Sequence, residues 1–135
     1  INYPAEFGRI APVIADDVPE PLAAGENIRT ALDEWIAAKG YVRPGLSLES
    51  LAREVGCNRS YLSRYVNSEL GLNFKSWIRA LRIAESQRLL LEHPGASALE
   101  VGEMVGIHGR STFFAQFSEV TGMSPGEYRR AHTPA

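Results

Sequence analysis

Cys57 is the only cysteine in the 135 residues, so no disulfide can form within the chain, and a reducing cytoplasm suits it. Long apolar runs are absent too. None approaches the ~20 residues a membrane-spanning helix needs, and no signal peptide opens the chain, so no membrane contact is expected. His93, His108 and His132 stand apart, with no carboxylate or thiol at ligand spacing, and no aspartate follows Asp33. Nucleophile elbow, phosphate-binding glycine loop and dinucleotide fingerprint are all missing. These gaps argue against an enzyme and against a bound metal or cofactor.

A basic excess is lacking as well. The net charge is −2, but it is unevenly spread: residues 1–45 hold four Lys/Arg against seven Asp/Glu, and residues 46–135 hold ten against nine. A domain this close to neutral must gather its positive charge on one face to attract an anionic partner. Arg53, Arg59, Arg64, Lys75, Arg79, Arg82 and Arg110 are the candidates.

What the chain does have is one pattern written twice. The first copy runs Leu51, Ala52, Val55, Gly56, then Ser60, Leu62, Val66, then Gly71, Asn73, Trp77. The second runs Val101, Gly102, Val105, Gly106, then Ser111, Phe113, Phe117, then Gly122, Ser124, Tyr128. The offset is 50 residues across the first helix of each copy and 51 beyond it, so the second turn is one residue longer. Each copy has the form of a helix-turn-helix. A small residue (Ala52, Gly102) lets two helices cross closely, and a glycine four residues on (Gly56, Gly106) supplies a left-handed helix end. Apolar residues then bury the inner face of a second helix. Two such units in one chain point to reading adjacent stretches of DNA groove.

The pattern predicts an all-α fold of about seven helices, two helix-turn-helix units joined by a long central helix. Residues 1–24 hold four of the eight prolines and the acidic cluster Asp16, Asp17 and Glu20, and are expected to be a linker or arm, followed by a domain over 25–135. Helix 1 is expected over about 26–39, with Gly40 as its stop. The first unit spans 47–71, its second helix running from the Asn58 cap to Leu70. A linking helix covers 73–92, carrying Phe74, Trp77, Ile78, Leu81, Leu89 and Leu90, until His93, Pro94 and Gly95 break it. The second unit spans 97–122. A closing helix covers 124–132, with Pro125 at its first position. Trp35, Trp77 and Tyr128 are expected in the core.

The runs SLESLAREVGCNRSYLSRYVNSELGLNFKSWIRALRIAESQRLL and VGEMVGIHGRSTFFAQFSEVTGMSPGEYRR resemble the DNA-binding region of bacterial AraC/XylS transcription factors over roughly residues 46–131. The closing GMSPGEYRR is the most specific part. The resemblance implies a transcription regulator domain that binds double-stranded DNA, with the second helix of each unit in the major groove. The linking helix would act as a rod setting those helices about one turn of DNA, ~34 Å, apart. It also implies RNA polymerase as a partner if the protein activates. Because the chain begins at Ile1 and not Met, it is expected to be a fragment whose sensing region lies upstream.

The outward positions of the first recognition helix are Arg59, Ser60, Ser63, Arg64 and Asn67; arginine can pair with guanine through two bonds, and serine or asparagine can add bonds to bases or phosphates. Arg64 matches a position where many family members carry a DNA-contacting arginine, and the competing reading pairs it with Glu69. Lys75 and Arg82 are candidate phosphate contacts, and for Arg82 a structural role is equally open. In the second unit the outward set is Gly109, Arg110, Ser111, Phe114 and Ala115. Here the chain departs from the family, since Ala115 takes the place matching Arg64 and Ser118 stands where a basic residue is common. Phe114 either touches thymine methyls or tucks in beside Phe113 and Phe117. The first unit is therefore expected to give the sharper half of any DNA motif. A helical interaction module that has lost DNA contact is the alternative, which a flat salt dependence would reveal.

The acidic arm yields an expectation of its own, since anionic residues next to a phosphate-seeking face compete with DNA. A chain beginning at Ala24 should keep its helicity by circular dichroism and bind duplex as well or slightly better at low salt, with the gain vanishing at high salt. Lost helicity or lost cooperative unfolding would show that the arm packs on the domain.

Overall fold

The computed structural model describes residues 24–133, so the expected arm lies outside the described residues up to Ala24, where the first helix begins. Seven α-helices and no strand occur among the described residues: α1 (Ala24–Ala37), α2 (Leu48–Val55), α3 (Arg59–Tyr65), α4 (Phe74–Glu92), α5 (Ala98–Met104), α6 (Arg110–Thr121) and α7 (Pro125–His132). A 3-10 turn covers Gly40–Val42, and a π turn, Val66–Leu70, continues α3. The all-helical reading holds. Helix α1 is shifted two residues toward the N-terminus of the expected span, and the left-handed residue after it is Lys39 at φ 59°, ahead of the expected stop at Gly40.

Capping explains most helix starts. Ser47, Ser97 and Ser124 each accept a hydrogen bond from the backbone N–H three residues on, and the side chains of Ser50, Glu100 and Glu127 accept one from the cap residue's own N–H. Each such box is worth roughly 1 kcal/mol. Asn58 caps α3 in the same sense, its Oδ1 accepting from Tyr61 N at 2.7 Å.

The chain forms two compact units. Among the described residues the first comprises 24–40 and Leu46–Phe74, the second Tyr41–Gly45 and 75–133. In the first, Ile28, Leu32 and Trp35 of α1, Leu51 and Ala52 of α2, Cys57 in the turn, and Leu62 and Val66 are buried. In the second, Ile83, Leu89 and Leu90 of α4 join Val101, Val105, Ile107, Phe113 and Phe117 in one core, with Val42, Ala96, Ala98, Phe114 and Tyr128 packed against it. Helix α4 is thus more than a connecting rod: past Phe74 it is a core element of the second unit.

The α5–α6 crossing shows why the second copy carries glycine where the first has alanine. A Cβ on Gly102 would lie 2.9 Å from Cγ of the fully buried Phe113 ring. The matching pair in the first unit, Ala52 and Leu62, couples a slightly larger residue with a smaller one, both buried. The turn glycines differ in a related way. Gly56 at φ 84° has open space where a Cβ would go, whereas at Gly106, φ 86°, that Cβ would collide with the Val42 carbonyl oxygen.

Gly56→Ala should therefore cost about 1 to 2 kcal/mol, the strain of a left-handed non-glycine residue. Gly106→Ala should cost that plus a backbone clash, about 2 to 5 kcal/mol, and Gly102→Ala about 1 to 3 kcal/mol from overpacking. Denaturant unfolding of the three variants checks the order, and equal losses at Gly56 and Gly106 would contradict it.

Candidate nucleic-acid interface

Helix α3 has a clear inside and outside. Leu62 and Val66 are fully buried, and the Tyr65 hydroxyl is hydrogen-bonded to Arg29 of α1. Burial pushes the Tyr65 pKa up, against the lowering effect of Arg29, so the phenol stays neutral at physiological pH. On the other side Arg59, Ser60, Arg64 and Asn67 are exposed and Ser63 is half-buried. Spacings of one, four, five and eight residues place these five on one helix face. Leu48, Arg59, Ser60, Ser63 and Arg64 line a shallow depression of ≈ 320 Å³ there.

Arg59 faces Glu49 at 3.6 Å, with both side chains more than 60% exposed, so this pair holds little energy and yields readily to a phosphate. Arg64 is exposed and makes no ion pair among the described residues, so the pairing with Glu69 is not formed. Beyond Arg64 the helix widens. Asn67 Nδ2 donates to the Ser63 carbonyl at 2.8 Å and Ser68 Oγ to the Arg64 carbonyl at 2.8 Å, two side chains bonding back onto the turn where the backbone becomes π-helical. Such back-bonding competes with the α ladder, which explains why the regular helix expected as far as Leu70 stops at Tyr65.

In the second unit the extra turn residue is absorbed by Gly109 at φ 90°, which precedes α6 and offers no side-chain cap. His108 Nδ1 and Glu103 Oε1, 2.7 Å apart, brace this turn. Inside α6, Phe113 and Phe117 are fully buried and meet edge to face at 5.7 Å, and Phe117 meets Tyr128 of α7 at 5.7 Å. Outside, Arg110, Ser111 and Ala115 are exposed. Phe114 falls between the two expected roles: half-buried, edge-on to Phe113 at 6.2 Å, with the Arg110 guanidinium 4.4 Å above its ring centre.

The remaining basic candidates separate by partner. Lys75 is exposed and unpaired among the described residues, as is Arg53. Arg79 is held by Glu119 at 2.8 Å. Arg82 donates from Nε to the Tyr41 carbonyl and from Nη2 to the Arg43 carbonyl, both at 2.7 Å, and burial draws its pKa below the ordinary arginine value. Of its two open roles the geometry supports the structural one. Sequence spacing did not reveal Glu49 beside Arg59, or Arg129 of α7, which donates to the Leu90 and His93 carbonyls at 2.9 and 3.1 Å. These partners are 10 to 39 residues apart and carry no local signal. Among the described residues no group of His, Cys, Asp or Glu could hold a metal ion, and no helix is long and apolar enough to cross a membrane.

Two short helix pairs, each presenting the polar face of its second helix, define a helix-turn-helix protein. A family model described as a helix-turn-helix domain matches residues 51–131, and the chain belongs to this AraC-type family of DNA-binding transcription regulators. The Msm operon regulatory protein of Streptococcus mutans is 31% identical over 85 residues, which cover 63% of this chain and 30% of that protein. The chain therefore spans under a third of that curated relative's length. The solved C-terminal domain of AraT, a response regulator from Geobacillus stearothermophilus, superposes with a TM-score of 0.72 at 28% identity, covering 84% of this chain and 92% of that one. The DNA-binding domain of the global transcriptional factor AdpA, solved in complex with a target DNA, shares the fold with a TM-score of 0.67 at 24% identity over 78% of this chain and 92% of that one.

The contrast between Arg82 and Lys75 can be tested on the free protein. Arg82→Met should lower stability on the order of 2 to 3 kcal/mol, since it removes two charge-assisted bonds to carbonyls. Lys75→Met should leave it within about 0.5 kcal/mol. Thermal unfolding reads both, and an unaffected Arg82 variant would remove its structural role.

Proposed function

We propose that this domain reads double-stranded DNA by sequence, laying α3 of the first unit and α6 of the second in the major groove. The observation that carries the reading is the outer face of α3. Arg64 stands exposed there and unpaired among the described residues, flanked by Ser60, Ser63 and Asn67, a set able to pair with guanine and to bond bases or phosphates alongside. Arg59, Lys75, Arg110 and Ser111 serve as further contacts, and no catalysis is assigned. The partners are duplex DNA, RNA polymerase if the whole protein activates, and a signal-sensing region of the same regulator. A bacterial cytoplasm is the compartment where they meet.

Selection from a random duplex pool at moderate salt tests this directly. An enriched motif is expected, with affinity falling steeply in log salt; no motif and no salt slope would end the reading. Arg64→Ala should then cost about 1 to 3 kcal/mol at the selected site and relax the preference at one base pair. A uniform loss across all sequences would reduce Arg64 to a phosphate contact.

A further inference from the structure

The two second helices share an arginine at one register position, but only the first carries another five residues on. In register, Arg110 matches Arg59, Phe114 matches Ser63 and Ala115 matches Arg64, all at an offset of 51. Judged at the Arg64 position alone, the second unit has lost its reader. The geometry at the start of α6 says otherwise. Arg110 and Phe114 lie four residues apart, one helical turn, and the Arg110 Cζ sits 4.4 Å over the Phe114 ring centre.

That ring is itself held. Phe114 is half-buried, packed against the second unit's core and set edge-on to the fully buried Phe113 at 6.2 Å. A guanidinium resting on a fixed aromatic face is attracted to it and gives up much of its rotamer freedom before any ligand arrives. Its N–H donors at the plane's edge stay available, because the ring takes only the face. Among the described residues no carboxylate competes for Arg110, whereas its counterpart Arg59 has Ser63 in place of the ring and leans toward Glu49 at 3.6 Å.

We infer that Arg110 and Phe114 act together as the base-reading element of the second unit. Arg110 pairs with a guanine from the first turn of α6, and Phe114 is the positioning residue that presents it. The units then read from different points of their recognition helices, the first centred on Arg64 and the second on Arg110. This rests on the DNA-reading function proposed above and deepens it.

The test uses the whole domain and motifs selected from a random duplex pool, with Arg110→Ala, Phe114→Leu and Phe114→Tyr beside the unchanged protein. Arg110→Ala should lower discrimination for guanine at one pair in the second unit's half of the motif by roughly 5- to 150-fold. Phe114→Leu, which keeps an apolar packing group, should lower it about 2- to 5-fold at the same pair, while Phe114→Tyr, which keeps the ring face, should retain it. Discrimination is taken relative to each variant's own affinity for non-specific duplex, and a melting curve of each free variant reports any folding loss separately. If Phe114→Leu melts lower but reads the same base as sharply, the ring is only core and the positioning role is overturned. If Arg110→Ala keeps the preference, the pair reads nothing. Should the unchanged domain select no motif, the DNA-reading function falls with it; a motif confined to the first unit's half would sink this inference alone.

Discussion

The steric limit where two helices cross within each unit governs what the remaining residues can do. In the second unit the Phe113 ring occupies the space a Cβ on Gly102 would need, and the Val42 carbonyl closes the space beside Gly106. The close crossing sets the seating of α6, and with it the direction in which Arg110, Ser111, Phe114 and Ala115 face. At the matching positions the first unit has Ala52 and the smaller Leu62, both buried, and open space at Gly56. Side-chain volume is thus balanced across each crossing, as close-packed interiors require, and the balance fixes the recognition face as a by-product.

Much of this was legible in the sequence because it is local or periodic. Serine caps, left-handed glycines and apolar residues at helical spacing mark their elements within four residues, so seven helices and their approximate ends followed. The core aromatics Trp35 and Trp77 are buried as expected, and Tyr128 packs edge-on against Phe117. What failed was equally physical. The back-bonding of Asn67 and Ser68 onto the Ser63 and Arg64 carbonyls turns the end of α3 into a π turn, a competition that pattern reading does not weigh. The Arg82 and Arg129 bonds to carbonyls about 40 residues distant have no spacing rule at all.

Phe114 shows the limit of treating residues as either inward or outward. At the edge of the buried face its ring serves both sides, packing on Phe113 below and carrying the Arg110 guanidinium above. A binary pattern assigns such a position to one side and loses its effect on the other. The substitution Ser63 to Phe114 between the copies therefore reads as a change in how the neighbouring arginine is presented, which helix periodicity alone could not show.

Charge follows the same logic of position over count. Arg79, Arg82, Arg88 and Arg129 are engaged by carboxylates or backbone carbonyls, so a chain of net charge −2 spends a large part of its basic residues on its own fold. Arg53, Arg64, Lys75 and Arg110 remain exposed without an acidic partner among the described residues, as does Arg130 of α7. Each phosphate neutralised contributes about 0.9 to the slope of log affinity against log salt, so so few open cations can supply only a modest sequence-independent attraction. A domain of this kind has to draw more of its affinity from base contacts than a strongly basic one does. On the proposed reading that places the energetic weight on a few oriented side chains, Arg64 on a helix tied to α1 through Tyr65 and Arg110 on a ring anchored on Phe113.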